Sequence, residues 1–258
     1  MKIPVERWFN AIPLRHSQRK YNGERVEDQK LDKLQKICTD FRPFPGARIE
    51  LVREPEIDPF KGIIGPIFKV KNAPHYMKFI VDQKEQEHQV VMGYIGEAAI
   101  LEATALGLNT CWITGFFHSD KTNEVTALGS DERVIGISPV GIADKKNDTI
   151  GHYVDHKRKS VDDLILDSKG VISEWQKVAI HAARLAPSAI NRQPWRFSFS
   201  NSAITISFDG KFDLKLSKRL DCGIAMLHTE LGARKVGKTG SWRFEENPKV
   251  GTFSIEET

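Results

Sequence analysis

The sequence is poor in cysteine and has no long apolar run. Its 258 residues include three cysteines, which lie far apart and form no Cys-x-x-Cys pair, and this argues against a disulfide framework and a zinc cluster. The longest uncharged apolar stretch, residues 103–117, is shorter than the roughly 20 residues that span a bilayer. The N-terminus has no apolar leader segment. We therefore expect no secretory signal, no membrane partner and a cytoplasmic protein.

Sequence signatures of tightly bound nucleotides are also missing. No Gly-x-Gly-x-x-Gly motif occurs, so any nicotinamide cofactor is expected to bind transiently. Residues 232–239 match the phosphate-binding P-loop pattern, but their first glycine ends an apparent helix, whereas a P-loop follows a strand. We interpret them as a glycine-terminated helix and a basic turn. His152 and His156 lack the glutamate of a zinc-protease motif, and no metal site is predicted.

The composition is that of a packed globular enzyme. Hydrophobic residues make up 40% and charged residues 28% of the chain, and 38 Lys and Arg against 34 Asp and Glu give a net charge of +4. A chain of this length can bury most of its apolar surface. The positive charge is not concentrated on one face and no aromatic platform accompanies it, so we expect no nucleic-acid partner.

Hydrophobic patterning predicts that helices and strands alternate along the chain. One helix follows the Asn22-Gly23 turn, and another starts at a capping box, Ser173–Gln176, and ends before Pro187. The Ala- and Leu-rich segment 85–108 predicts a long helix buried on more than one side. The predicted helices are residues 26–40, 85–108, 173–185 and 222–235, the predicted strands are residues 48–53, 76–82, 134–143, 197–200 and 203–209, and the predicted loops include residues 54–74 and 144–159.

Two polar segments could carry chemistry. Residues 15–19, Arg-His-Ser-Gln-Arg, place two guanidinium groups and a hydroxyl close together, and such forked donors suit a phosphate monoester. A basic surface turn is the alternative. Residues 187–195 hold Ser188, Asn191 and Gln193 between two prolines that fix the backbone. These side chains suit a planar heterocycle and its polyol, and a stiff helix-to-strand connection is the alternative.

Both segments resemble motifs of the nitroreductase family of FMN-dependent oxidoreductases. Residues 107–116, Gly-Leu-Asn-Thr-Cys-Trp-Ile-Thr-Gly-Phe, are similar to the family's segment beside the flavin, and residues 71–74 are similar to its lead into a strand. The resemblance covers most of the chain. It implies an α+β nitroreductase-like fold, with a central, mostly antiparallel sheet flanked by helices, in a single compact unit of residues 1–258.

The order of the motifs departs from that of ordinary family members. In those the Ser-x-x-Asn-x-Gln-Pro-Trp stretch follows the Arg-x-Ser motif within a few dozen residues, whereas here it follows about 170 residues later. Ordinary members are homodimers with FMN at the interface. The resemblance therefore implies two subunits fused into an internal pseudo-dimer, with half-repeats of about 1–168 and 169–258. The faint similarity of Gly96-Glu97-Ala98-Ala99 to Gly223-Ile224-Ala225-Met226 fits this interpretation.

The fused order implies one composite flavin site per chain. In the first half, residues 41–47 take the place of the Ser-x-x-Asn turn but lack serine and asparagine, and the second half has no Arg-x-Ser-x-Arg motif. One site should survive, with its phosphate motif from the first half and its polar turn from the second. A monomer should be sufficient to form it.

The resemblance also assigns roles to the site residues. Arg15, Ser17 and Arg19 would hold the FMN phosphate and ribityl chain, with Arg158 as a second phosphate contact. Pro187, Ser188 and Asn191 would meet the isoalloxazine and ribityl chain from the opposite half. Gln193 and Trp195 would shape the turn, and Thr114 and Gly115 would lie near N5 of the ring. The predicted FMN-binding residues are Arg15, His16, Ser17, Arg19, Ile113, Thr114, Gly115, Arg158, Pro187, Ser188, Ala189, Asn191 and Gln193.

The activity implied by the resemblance is that of an FMN-dependent oxidoreductase. It would take hydride from NADH or NADPH and pass it to an electron-poor small molecule such as a nitroaromatic, a quinone or an enone. No side chain is expected to act as a catalytic nucleophile. A flavin-binding protein without turnover is the alternative function, because the loss of one site suggests relaxed constraint.

Overall fold

The computed structural model describes residues 1–60, 69–114, 117, 127–144, 157–168, 171–210 and 217–256. Its helices are α1 (Val5–Ala11), α2 (Asp28–Asp40), α3 (Glu87–Ala105), α4 (Val161–Leu164), α5 (Glu174–Arg184) and α6 (Lys218–Lys235). Its strands are β1 (Ala47–Val52), β2 (His75–Asp82), β3 (Asn109–Thr110), β4 (Glu132–Gly141), β5 (Ile165–Ser168), β6 (Trp195–Ser200), β7 (Ala203–Phe208), β8 (Gly240–Phe244) and β9 (Lys249–Ile255). A short 3₁₀ turn covers Ala189–Asn191.

The same order of elements occurs twice in the fold. The first sheet has the strand order β1-β2-β4-β3, and the second sheet has the order β5-β6-β7-β9-β8. Without β5, each sheet has a helix before its first strand and a long helix between its second and third strands. Where two of the strands in the described residues pair with each other, the pairing is antiparallel, except that of β5 with β6. The predicted antiparallel architecture with flanking helices is confirmed, with the strands divided between two sheets.

The centre of the molecule is the crossing of α3 and α6. Every residue from Val90 to Ala103 is buried, and so is every residue from Leu220 to Ala233. A helix that is apolar on most of its faces is expected to be buried on more than one side, as predicted for α3. Each helix packs on its own sheet and the two pack on each other.

Two glycines permit the close crossing, and they do so reciprocally. A Cβ on Gly93 would lie 2.1 Å from the carbonyl oxygen of Leu220, and a Cβ on Gly223 would lie 2.0 Å from the carbonyl oxygen of Val90. Each glycine thus meets the residue three positions before the other glycine. The structural equivalent of Gly223 is therefore Gly93, which corrects the pairing with Gly96 suggested by the sequence.

One segment passes from the first sheet to the second. Residues 157–168 follow the last strand of the first sheet, and β5 within them joins the edge of the second sheet by parallel pairing with β6. The helix α1 packs against both α3 and α6, so the N-terminal segment also contacts both halves. None of the helices in the described ranges has the length and apolar composition that crossing a bilayer requires.

Most elements predicted from the sequence are confirmed, and several short ones were missed. The capping box of α5 makes both of its hydrogen bonds. The helix α6 starts at Lys218, earlier than predicted, because the Ser217 hydroxyl accepts a bond from the Leu220 N–H and caps it. Gly237, with φ +77°, follows the end of α6, so the P-loop-like segment is a glycine-terminated helix. The sequence did not reveal α1, α4, β3, β5, β8 or β9.

The three cysteines are buried and free, which agrees with the argument against a disulfide framework. The described residues contain no group of three or more His, Cys, Asp or Glu side chains that could hold a metal ion. His152 and His156 lie outside the described residues, as do parts of the two predicted loops.

Candidate functional site

The Arg-His-Ser-Gln-Arg segment runs beside the edge strand of the first sheet. After α1, the Arg15 N–H bonds the Ala11 carbonyl oxygen at 2.9 Å. Ser17 then pairs with Thr110 of β3 in parallel fashion, and the Gln18 N–H donates to the Thr110 carbonyl at 2.8 Å. This pairing fixes the backbone of the segment and hence the directions of its alternating side chains.

Arg15 is a buried guanidinium without a hydrogen-bond partner in the described part of the chain. It is 3% exposed, and its Nε is buried and makes no hydrogen bond. The nearest opposite charge is Glu97, with 3.9 Å between Nε and Oε1. Burial lowers the pKa of Arg15, against the effect of Glu97. Because an unsatisfied buried charge is costly, its retention favours a role in binding an anion.

Three predicted phosphate-binding side chains affect one buried thiol. Burial raises the pKa of Cys111, while the charge of Arg19, a hydrogen bond with Ser17 and the charge of Arg15 act to lower it. Ser17 is exposed and Arg19 is half-buried. The His16 ring is half-buried and its Nδ1 lies 3.3 Å from the Leu14 carbonyl oxygen.

The turn after α5 has an unusual backbone held by its own polar side chains. Ile190, Asn191 and Gln193 have φ values of 48°, 58° and 50°, in the left-handed region that non-glycine residues rarely adopt. The Ser188 hydroxyl accepts a bond from the Gln193 N–H at 2.9 Å. The Gln193 side chain accepts from the Lys159 N–H at 2.8 Å and donates to the Asn191 carbonyl at 3.0 Å. Such conformations concentrate at functional sites.

Pro187 and Ala189 complete this turn. Pro187 is buried and Ala189 is half-buried. Asp221 on α6 accepts bonds from the Ala189 N–H at 3.1 Å and from Arg192 Nε at 2.9 Å. The sequence did not single out Asp221, because the predicted helix began one residue after it. One signal could have identified Asp221: it is an acidic residue in the first turn of a helix, directly before an apolar run that includes Ile224.

Arg158 joins the two predicted segments. Its guanidinium donates to the Asn191 side-chain oxygen, and to the Leu185 carbonyl at 3.0 Å. Burial lowers the pKa of Arg158, the nearby positive charge of Arg15 lowers it as well, and together they bring it to about 10. Arg158 thus bonds the segment of Asn191 and is close enough to Arg15 to be affected by its charge.

The third predicted segment continues the edge strand β3. Ile113 is buried and exchanges two backbone hydrogen bonds of 2.9 Å with Ile137 of β4. Thr114 is half-buried. Since Ser17 pairs with Thr110 of the same strand, this segment adjoins the phosphate-binding motif. Gly115 lies outside the described residues.

The counterpart turn in the first half contains aromatic rings. Residues 41–47 connect α2 to β1 as the polar turn connects α5 to β6. The Phe44 ring packs edge-on against Phe244 of β8, with centroids 5.0 Å apart, and against Tyr94 of α3 at 5.5 Å. Apolar contacts thus occupy the place that polar groups take in the second half.

Comparison with known proteins identifies the family. The chain matches the family model described as "Putative TM nitroreductase" over residues 8–233. A "putative nitroreductase" from Thermotoga maritima has the same fold, with a TM-score of 0.65 and 20% identity over 96% of this chain and 93% of that chain. An "FMN-dependent Nitroreductase" from Clostridium difficile aligns with a TM-score of 0.45 and 23% identity over 58% of this chain and 96% of that one. No curated protein matches the chain. Because the family model spans most of its length, the chain belongs to the nitroreductase family of FMN-dependent oxidoreductases.

Proposed function

We propose that each chain binds one FMN at a composite site and transfers hydride from NADH or NADPH to an electron-poor small molecule. The observation that carries the proposal is the link from Arg15 through Arg158 to Asn191. A buried arginine without a hydrogen bond in the described residues lies beside a second arginine, and the second arginine bonds the polar turn. Bound FMN supplies the hydride-transfer chemistry.

The phosphate end of the site is assigned to the arginines. Two guanidinium groups, Arg15 and Arg158, match the charge of a phosphate dianion, and a charge-assisted bond to Arg15 would satisfy a donor that is buried without a hydrogen bond in the described residues. Ser17 and Arg19, from the same segment as Arg15, would complete the contacts. We propose that His16 contributes to FMN binding through its backbone, because its ring nitrogen lies against the Leu14 carbonyl oxygen.

The ring end of the site is assigned to two rigid segments. The turn of residues 187–193 is held by internal hydrogen bonds and by Asp221, so it would meet a planar ring without reorganising. The strand that carries Ile113 and Thr114 would border the same ring from the first half. Both segments would exclude water from one face of the ring and leave the other face for the nicotinamide and the acceptor in turn.

We further propose that the chain is a fused dimer with half-repeats of about 1–168 and 169–258. The repeated strand order, the reciprocal contacts of Gly93 and Gly223 and the passage of β5 to the second sheet support this division. The aromatic packing of Phe44 and Phe244 supports a single functional site. A monomer would then be sufficient for flavin binding.

Absorbance spectroscopy of the purified chain tests the proposed function. We expect a flavin spectrum after incubation with FMN, saturation at one FMN per chain, bleaching by NADH or NADPH, and recovery of colour on adding a nitroaromatic, quinone or enone. Alternating reduction and reoxidation predicts ping-pong kinetics. A protein that stays colourless with FMN would refute flavin binding, and two FMN per chain would refute the single composite site.

A flavin-binding protein without turnover is the second candidate. The observation that favours it is the filled counterpart site, since a chain that has lost one site has experienced relaxed constraint there. In that case FMN would bind with the same stoichiometry, but neither NADH nor NADPH would bleach it under anaerobic conditions.

A further inference from the structure

Glu97 is a buried carboxylate that contacts several parts of the proposed site. It lies within the buried run of α3 and is 0% exposed. Its Oε2 accepts a bond of 2.8 Å from the Trp112 indole N–H, one residue before Ile113. Its Oε1 lies 3.0 Å from His228 Nε2 and 3.9 Å from Arg15 Nε. One carboxylate therefore contacts the flanking strand, the opposite central helix and the phosphate-binding motif.

His228 extends this contact into the second half. It is 0% exposed on α6, and its Nδ1 donates to the Ala182 carbonyl oxygen at 3.0 Å. Since that carbonyl can only accept, the proton at Nδ1 is fixed, and a second proton lies between Nε2 and Glu97 Oε1. Ala182 belongs to α5, the helix that leads into the turn of residues 187–193.

We propose that Glu97 is a positioning residue for Arg15, and that His228 connects this positioning to the second half. The inference rests on the proposed function, because it assigns a role within the same FMN site. Glu97 would hold Arg15 in its buried orientation without forming a close hydrogen bond with it. The guanidinium fork would then remain available for the phosphate.

The charges around Glu97 support this role. Arg15 lowers the pKa of Arg158 and Glu97 raises it, so the carboxylate moderates the repulsion between two neighbouring arginines. Without that charge, nothing among the described residues would balance the buried Arg15 guanidinium, and the side chain would gain by turning toward solvent. A displaced Arg15 would no longer be preorganised for phosphate, while the ring contacts would be unaffected.

The decisive experiment compares FMN with riboflavin, which lacks the phosphate. Glu97→Gln keeps the shape of the side chain and an oxygen for the Trp112 N–H, but removes the charge. We expect the FMN dissociation constant, measured by flavin fluorescence quenching, to rise about tenfold, with the riboflavin constant unchanged. A merely structural role would weaken both ligands equally.

Glu102→Gln is the matched control. Glu102 is also a buried carboxylate of α3, and it accepts a bond of 2.8 Å from the Trp8 indole and one of 2.9 Å from Arg7. It makes the same kind of tryptophan contact away from Arg15. Both flavin affinities should stay at the wild-type value.

Two further experiments test the connection through His228 and the dependence of the Glu97 effect on Arg15. They use His228→Gln and an Arg15→Gln background. His228→Gln should lower the FMN preference in the same direction as Glu97→Gln, and it serves as the test variant if Glu97→Gln does not fold. In the Arg15→Gln background, Glu97→Gln should have no further effect on the ratio of the two dissociation constants, because the residue it positions is gone.

Two results would overturn the inference. One is an unchanged ratio of the FMN and riboflavin dissociation constants, including an equal loss of affinity for both, and the other is tighter FMN binding, which would show that Glu97 only repels the phosphate. A wild-type chain that binds neither flavin would instead overturn the proposed function. The shift of the thermal midpoint on adding inorganic phosphate would then decide the role of Glu97, with the shift expected in wild type and reduced in Glu97→Gln. Equal shifts in the two would overturn it.

Discussion

Two buried glutamates on the central helices have neighbours of the same kind, with opposite consequences for a ligand. Glu97 on α3 accepts from Trp112, contacts His228 of α6 and lies near Arg15. The second glutamate, Glu230 on α6, has a tryptophan, a side chain of α3 and an arginine in the same roles. Each half thus contains a buried carboxylate with an indole and a guanidinium close to it, although the two carboxylates are not at equivalent positions of their helices.

The difference lies in the arginine. Glu230 Oε2 accepts from Tyr94 at 2.6 Å and from Trp242 at 2.9 Å, and its Oε1 accepts from Arg234 Nε at 2.7 Å, one turn along the same helix. The Glu230 carboxylate thus forms a close hydrogen bond with its arginine, whereas the Arg15 Nε lies 3.9 Å from the Glu97 carboxylate. The comparison teaches that a saturated cluster stabilises a core, and an unsaturated one leaves a donor for a ligand.

The largest expected effect tests whether the two halves are equivalent at the crossing. Gly93→Ala and Gly223→Ala each place a methyl group about 2 Å from a backbone carbonyl, so the helices must separate. We expect each to lower the free energy of unfolding by about 3 kcal/mol, measured by denaturant titration. Gly210→Ala, with nothing within 4 Å of the added Cβ, is the control. Clearly unequal losses would break the equivalence.

The next effect distinguishes Arg15, beside Glu97, from Arg234, beside Glu230. Removing a charge-assisted phosphate contact costs about 1.5–3 kcal/mol, so Arg15→Ala should weaken FMN binding roughly ten- to a hundredfold. Arg234→Ala should leave FMN affinity unchanged, because that guanidinium bonds Glu230 in the other cluster. Isothermal titration measures both. Equal FMN affinities in wild type and Arg15→Ala would contradict the assignment of Arg15 to phosphate binding.

A smaller effect is expected from the polar turn. Asn191→Ala removes the side-chain oxygen that accepts from Arg158, and loss of one such bond should weaken FMN binding by about 1 kcal/mol, or roughly fivefold. Asn201→Ala, exposed in the hairpin between β6 and β7, is the matched control and should bind as wild type does. Full FMN affinity in Asn191→Ala would argue against a site shared by the two halves.

The smallest effect concerns a hydrogen bond at the start of a strand in each half, β2 in the first half and β7 in the second. In the first half, His75 at the start of β2 accepts a bond from the Val26 N–H at 3.2 Å. In the second half, Gln176 of the capping box donates to the Ala203 carbonyl at 3.1 Å. Only the first attachment contains a titratable group. Protonation of His75 Nε2 would abolish its bond.

Burial lowers the pKa of His75, so the fold favours its neutral form. Its contribution is complete above the ordinary histidine pKa of about 6.5 and is lost as pH falls below that value toward the lower pKa of the folded state. We expect acidification from pH 7.5 to 5.5 to destabilise the attachment by about 1 kcal/mol or less. Hydrogen exchange of the Val26 amide should accelerate, and His75→Gln should remove that pH dependence. Exchange that is insensitive to pH after correction for the intrinsic rate would contradict this.

Elements whose sequence pattern is long could be predicted, and short ones could not. The mostly apolar sequence of α3 and the capping box of α5 are local signals, and each correctly predicted a helix. In contrast, α1 buries only Trp8 and Ala11, and β8 alternates between half-buried and exposed residues. Such elements depend on contacts with distant segments, which a short window of sequence does not contain.

The site divides in the same way. The Arg15 and Asn191 segments were found because each has a local motif, but Glu97 and His228 gain their roles from each other, 131 residues apart. A charged residue within the apolar run of α3 was the signal that could have identified Glu97. The aromatic content of residues 41–47 was visible, whereas their contact with Phe244 depends on the fold.

The segment of residues 157–168 has a consequence for how the site assembles. It carries Arg158, and it covalently connects the two sheets that would contribute side chains to the proposed site. In a protein of two separate subunits such a meeting would depend on concentration. Here it is an intramolecular event, for which a short connection gives an effective concentration on the order of millimolar. Flavin occupancy should therefore be insensitive to dilution of the protein at fixed free FMN, even at trace abundance.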